Sequence, residues 1–235
     1  MSPVSVLGLS LVGGCVVLAR TAFLQSSIAR PLVGASLAGS VLGEPALGLW
    51  CGLLLELLWL TDAPMGAALP PDDALAGVLA AAFAWAAPET WAIDVRAALG
   101  VVLAMPCAFL GRWLDMGLRH WNRDLVARAR SDLERGVARG LGRIHLLGSL
   151  RFFVAGALAT MALSSAGVAG VRWLLPLLPL QTERGLELVA LLLPALGTAA
   201  VMASWRGSRN AARFACGAAA WAVGALPGGW LRWLR

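Results

Sequence analysis

Between Pro31 and Leu60 the chain reads PLVGASLAGSVLGEPALGLWCGLLLELLWL, an apolar run whose only charged side chains are Glu44 and Glu56. So apolar a segment cannot coat a water-exposed surface, and it is too long for one plain membrane span of about 20 residues. Gly43-Glu44-Pro45 interrupts it near the middle, where proline removes a helix hydrogen bond and glycine supplies a turn. The run predicts two helices or half-helices meeting at that break. Gly39 and Gly43, flanked by Ala35, Ser36, Ala38 and Ser40, form a GxxxG pair of the kind that lets helix backbones pack closely in lipid.

The rest of the chain agrees. Only 14% of its 235 residues are charged, 59% are hydrophobic and the mean hydropathy is +0.76. A water-soluble domain carries about 25% charged residues, so too little polar surface remains here for a water-exposed body. Further apolar segments run from Val4 to Ala19, Val95 to Leu110, Phe152 to Leu180, Leu186 to Trp205 and Ala211 to Leu231. The stretch from Phe152 is long enough for a span plus a re-entrant turn. The expected fold is one all-α integral membrane domain over residues 1–235, with about six to eight transmembrane or re-entrant helices.

The net charge of +6 does not describe a nucleic-acid surface, because nine of the nineteen basic residues fall between Arg112 and Arg151. A basic segment between apolar spans marks a cytoplasmic loop. Within it Leu118, Trp121, Leu125, Val126, Leu133, Val137 and Leu141 recur at helix-like intervals. That pattern predicts an amphipathic helix over residues 112–150, lying on the inner membrane face. Cys15, Cys51, Cys107 and Cys216 are scattered singly through apolar segments, and His120 and His145 are isolated. No metal site, disulfide framework or cofactor is expected from them.

The most informative stretch is LLLELLWLTDAPMGAALPPDDALAG, residues 53–77, which carries Glu56, Asp62, Asp72 and Asp73. A charge at mid-membrane costs about 2.5–3.5 kcal/mol on insertion scales, so such groups are rarely idle. Pro70 and Pro71 remove two backbone donors, and irregular backbone survives in a membrane only where protein or a water-filled cavity surrounds it. A Pro-rich re-entrant loop near residues 61–73 is therefore expected. After it, Pro71-Asp72-Asp73 makes a helix start with acids at the positive end of the dipole. Asp72 or Asp73 is thus open to two roles, capping that helix or facing a cavity.

The same region resembles a known family. RPLVGASLAGSVLGEPALGLWCGLLLEL followed by MGAALPPDDALAG is similar to the membrane subunit IIC of the mannose/fructose/sorbose-type sugar phosphotransferase system. Pro31, Leu32, Leu37, Gly39 and Gly43 match its opening helix, and Glu56 its acidic position. Gly66, Ala67, Pro71, Asp72, Ala74, Leu75 and Ala76 match its closing motif. Asp62 and Pro64 depart from mannose carriers, which often have Trp and Asn there, and this bears on which sugar is bound.

The resemblance implies a non-enzymatic sugar-translocating subunit of the bacterial cytoplasmic (inner) membrane, working as an oligomer with membrane subunit IID. Soluble IIA and IIB components would relay phosphate from phosphoenolpyruvate through their own histidines. It also implies a hexose or amino sugar as substrate. Carboxylates suit such a ligand, since each offers two strong acceptor oxygens to hydroxyl donors. Glu56 and Asp72 are the first candidates, Asp62 and Asp73 the second, and Met65 an apolar contact to a sugar face. The alternative is a sensor or regulatory membrane protein derived from a sugar system, without bulk transport.

Overall fold

Most helices begin where the chain supplies a chemical start. The computed structural model describes residues 1–22, 27–60, 69–136, 140–179 and 181–204. Helix α1 (Pro3–Thr21) follows Ser2, whose hydroxyl accepts from the Ser5 N–H. Pro31 and Pro45 open α2 (Pro31–Val41) and α3 (Pro45–Trp59), and Asp72 caps α4 (Asp73–Ala86). Proline suits a first position because its missing N–H would find no intrahelical acceptor there. Helices α5 (Ile93–Trp121), α6 (Arg123–Glu134), α7 (Leu141–Leu174) and α8 (Gln181–Ser204) follow. No strand occurs among the described residues.

Four stretches are long and apolar enough to cross a membrane: α1, the α5–α6 stretch, α7 and α8. Helices α2, α3 and α4, at 11, 15 and 14 residues, fall short of the roughly 20 a span requires. This is the all-helical membrane architecture that the apolar runs predict. Helix α7 is one continuous helix of 34 residues followed by a short 3-10 turn at Leu175–Leu177, rather than a span with a re-entrant turn. The segment from Ala211 to Leu231 lies outside the described residues.

Helix α4 occupies the centre. Every residue from Ala74 to Ala84 is buried, and a helix apolar on all sides must be enclosed by others. Its small residues let neighbours come close. Gly100 of α5 sits against the Ala80 carbonyl, and Gly77 faces Pro31 of α2. Helix α1 lies antiparallel to α7, with Gly13 against Thr160 and Val17 against Gly156. The end of α1 therefore meets the beginning of α7 and of α4, at the end of the molecule that carries the basic segment. The α2–α3 turn and the start of α5 lie at the opposite end.

The break at Gly43-Glu44-Pro45 is a helical hairpin turn. The Glu44 N–H donates to the Gly39 carbonyl at 2.8 Å and the Gly43 N–H to Ser40 at 3.2 Å. Gly43 has φ +83°, the left-handed residue that closes this kind of helix end. Of the two glycines of the GxxxG pair, only Gly39 makes a close helix contact. A Cβ on Gly43 would meet nothing within 4 Å, whereas one on Gly39 would stand 2.8 Å from the Cα of Gly48. Gly43 serves the turn, and Gly39, Gly48 and Gly52 let the two half-helices pack backbone to backbone. Gly48→Ala should lower stability by about 1–3 kcal/mol, since its Cβ would overlap the Ala35 carbonyl. Denaturant unfolding in detergent checks this, with Gly142→Ala, where a Cβ meets nothing within 4 Å, as the unaffected comparison.

The basic segment departs from the expected single amphipathic helix. Helix α5 continues through it to Trp121, the chain turns at Asn122 into α6, and α7 begins at Leu141. The apolar stripe is divided accordingly: Leu118 and Leu125 are buried, while Trp121, Val126 and Leu133 are exposed. Arg151 fixes the corner by stacking 4.5 Å over the Trp121 ring. It also donates to the Trp121 carbonyl at 3.0 Å and to Asp124 Oδ1 at 3.1 Å. That hydrogen bond holds the Asp124 carboxyl below its ordinary range. The stripe fails because helical spacing in sequence persists across a corner that turns successive residues toward different neighbours.

Candidate functional site

The carboxylates in the apolar region are gathered at helix N-termini, where unpaired N–H groups and the helix dipole favour negative charge. Glu56, on the last turn of α3, reaches the first turn of α2: its Oε2 accepts from the Leu32 N–H at 3.4 Å. Close packing makes this possible, since a Cβ on Gly52, one turn before Glu56, would lie 2.6 Å from the Leu32 Cα. The other oxygen pairs with Arg30 at 3.2 Å. Glu56 retains 18% side-chain exposure, so it is neither sealed in the core nor fully solvated. Sequence distance hid this arginine, which is 26 positions away.

Asp72 takes the capping role that the sequence left open beside cavity-facing. Its Oδ1 accepts from the Leu75 N–H at 3.0 Å, and its own N–H donates to the Ala108 carbonyl of α5 at 2.8 Å. Gly111 permits this approach, because a Cβ there would stand 2.5 Å from the Asp72 Cβ. Asp72 is 3% exposed. Asp73 points to Arg20 at the end of α1, which hydrogen-bonds it, donates to the Pro71 carbonyl at 2.9 Å and stands 3.7 Å from Asp72. One guanidinium thus pins the turn that precedes α4. Asp115 lies one turn beyond Gly111 on α5, buried, with one oxygen taken by Arg119 at 2.8 Å. Its other oxygen has no hydrogen-bond partner among the described residues.

The two clusters adjoin. Pro31, beside Arg30, faces Gly77, four residues into α4 and so about 6 Å along its axis from Asp73. Asp62 and Met65 belong to the segment 61–68 that connects the clusters, and they lie outside the described residues. A third pair stands apart at the opposite end of the molecule. Glu44, at the hairpin turn, receives two hydrogen bonds of 2.8 Å from Arg96 in the first turn of α5.

Arg20, Arg30 and Arg96 were absent from the sequence expectations, although a signal existed. Each stands in or beside a long apolar run, and a charge in such surroundings needs a counter-ion. Which counter-ion it finds is decided by helix packing across separations of 26–53 residues. No group of three or more His, Cys, Asp or Glu side chains suited to a metal ion occurs among the described residues.

Four long apolar helices packed around three that are too short to cross, with ion pairs joining the helix ends, mark a multi-pass membrane protein. Comparison with known proteins makes the class specific. The family described as the PTS system sorbose-specific IIC component matches residues 4–227, and the chain belongs to that family as a multi-pass protein of the cytoplasmic membrane. Among similar proteins is the N-acetylgalactosamine permease IIC component 1 of Escherichia coli (strain K12). It is 26% identical over 193 residues, which cover 81% of this chain and 69% of that one. The mannose-specific EIIC component of the same organism is 26% identical over 177 residues, covering 74% and 63%.

The chain therefore spans about two thirds of the length of these relatives. The fold also resembles a solved structure described as a membrane protein, with a TM-score of 0.76 at 22% identity, covering 94% of this chain and 87% of that one. A cryo-EM structure of the mannose transporter ManYZ with microcin E492 matches with a TM-score of 0.63 at 22% identity, covering 97% and 89%.

Proposed function

We propose that this chain is the sugar-translocating subunit of a phosphoenolpyruvate-dependent phosphotransferase system, and that Glu56 is its principal acceptor for sugar hydroxyls. The observation that carries this reading is the setting of Glu56. Its carboxylate lies among apolar half-helices, partly open, held by a long backbone contact and one arginine beside the segment that bears Asp62 and Met65. A hydroxyl donor can reach its lone pairs more readily than those of Asp72, which is 3% exposed and caps α4 through Oδ1. In this reading Asp62 and Met65 complete the sugar contacts, while Asp72 and Asp73 anchor the loop against α1 and α5. The substrate class is a hexose or amino sugar, in keeping with the sugars for which the relatives are named.

The end that carries the arginines faces the cytoplasm, as positively charged loops do. There the sugar is delivered to a IIB component for phosphorylation, with IID as the membrane partner and IIA as phosphate donor to IIB. The test is uptake by vesicles that contain this chain with its IID, IIA and IIB partners, over a panel of hexoses and amino sugars with phosphoenolpyruvate supplied. Phosphoenolpyruvate-dependent accumulation of one sugar class is the expected result. An assembled complex that takes up none of them would overturn transport in favour of a regulatory role.

A further inference from the structure

The Glu44–Arg96 pair plays no part in the proposed sugar site, yet among the described residues it is the ion pair that joins two helices through two hydrogen bonds. Arg96 Nη1 donates to Glu44 Oε2 and Nη2 to Oε1, each at 2.8 Å. Arg96 is 6% exposed, and its Nε is buried with no hydrogen-bond partner among the described residues. Glu44 is the N-cap residue of α3, but its side chain does not cap that helix. It leaves the cap unmade and reaches across to α5 instead. The carboxylate has thus been diverted from the local contact that its position offers to a long-range one.

That contact sits at the tip of the α2–α3 hairpin. The two half-helices pack through Gly39, Gly48 and Gly52, so they form one unit, and the turn at Gly43 is open, with nothing within 4 Å of a Cβ placed there. Breaking the pair would strand a buried guanidinium, so the tip can leave α5 only if water reaches Arg96. We infer that Glu44 and Arg96 form a latch that holds the hairpin tip against α5 and closes the end of the molecule opposite the basic segment. Release of the latch would open a path along α3 from that end toward Glu56. Only this last consequence rests on the proposed sugar site; the latch itself does not.

A native thiol reports the state of the latch. Cys51 lies on α3, seven residues or about 10 Å beyond Glu44, and is 0% exposed. The full chain with Cys15, Cys107 and Cys216 replaced by alanine is placed in proteoliposomes, and maleimide labelling of Cys51 is timed without sugar. Glu44→Gln should raise the labelling rate by roughly tenfold or more, and the exchanged pair Glu44→Arg with Arg96→Glu should bring it back toward the wild-type rate. A companion chain that keeps only Cys107, on α5 toward the basic end, should label at an unchanged rate. The latch is overturned if Glu44→Gln leaves Cys51 as slow as in the wild type, or if Cys107 accelerates equally, which would mean general loosening. Should Glu44→Gln fail to insert, Arg96→Lys takes its place, since it keeps the charge but loses the two-point contact. It should speed labelling in the same direction, and a wild-type rate there also rejects the latch.

Discussion

Arg20→Met is expected to destabilise the protein by about 3–5 kcal/mol, the range found when one partner of a buried ion pair is removed. The side chain makes three contacts at once: the Asp73 carboxylate, the Pro71 carbonyl and, at 3.7 Å, Asp72. It is 21% exposed, with Asp72 at 4% and Asp73 at 22%, so solvent screens the pairing only partly. Methionine keeps the apolar stem but leaves the Asp72 and Asp73 carboxylates without the guanidinium they share. The asymmetry of such sites supplies the check, because removing every member of a buried charge cluster costs far less than orphaning one. The triple variant Arg20→Met, Asp72→Asn, Asp73→Asn should recover much of the loss in denaturant unfolding, since Asn also caps helices well. Equal stability of Arg20→Met and the wild type would show that the turn before α4 is held by packing alone.

Glu56→Gln should reduce the apparent affinity for the transported sugar by about 10- to 100-fold, the equivalent of losing hydrogen bonds to a charged acceptor worth roughly 1.5–3 kcal/mol. The replacement is nearly isosteric, so the packing of Gly52 on Leu32 is untouched and the hairpin should remain in place. The effect should appear in KM for uptake, because a hydroxyl acceptor acts in recognition before any movement or phosphorylation. Glu56→Asp is the informative companion. It keeps the charge but draws it back from the Leu32 N–H and Arg30, and an intermediate loss is expected. A loss confined to maximal rate, with KM unchanged in both variants, would place Glu56 in the moving parts rather than at the sugar.

Helix starts and the break in the long apolar run were legible from local chemistry. Pro31, Pro45 and Asp72 stand where helices begin, and Gly43 supplies the one backbone shape that closes α2 before Glu44. The central position of α4 was legible too, because after Asp73 the helix consists only of alanine, leucine, glycine, valine, phenylalanine and tryptophan and has no polar face to turn outward. Other features were not local. Of the GxxxG pair only Gly39 packs closely, on Gly48 across the hairpin, since a GxxxG spacing identifies a flat helix surface but not what lies on it. The apolar positions between 112 and 150 fit one amphipathic helix in sequence because periodicity does not register a corner such as Asn122. At the candidate site, the acidic residues could be picked out by their cost in an apolar run. Their counter-ions Arg20, Arg30 and Arg96 could not be assigned, because the pairing is set by which helices adjoin.

Direct contact between Glu56 and the sugar is what sets this reading apart from a purely structural role for the carboxylate. The most direct measurement is equilibrium binding of the transported sugar by the purified full chain in detergent, in the absence of IIA and IIB, for wild type and Glu56→Gln. This separates recognition from translocation and from phosphoryl transfer. Saturable binding is expected for the wild type, with a dissociation constant about 10- to 100-fold weaker in Glu56→Gln and both proteins unfolding at the same denaturant concentration. Equal affinity in the two proteins, measured with the sugar that the assembled system takes up, would contradict direct contact.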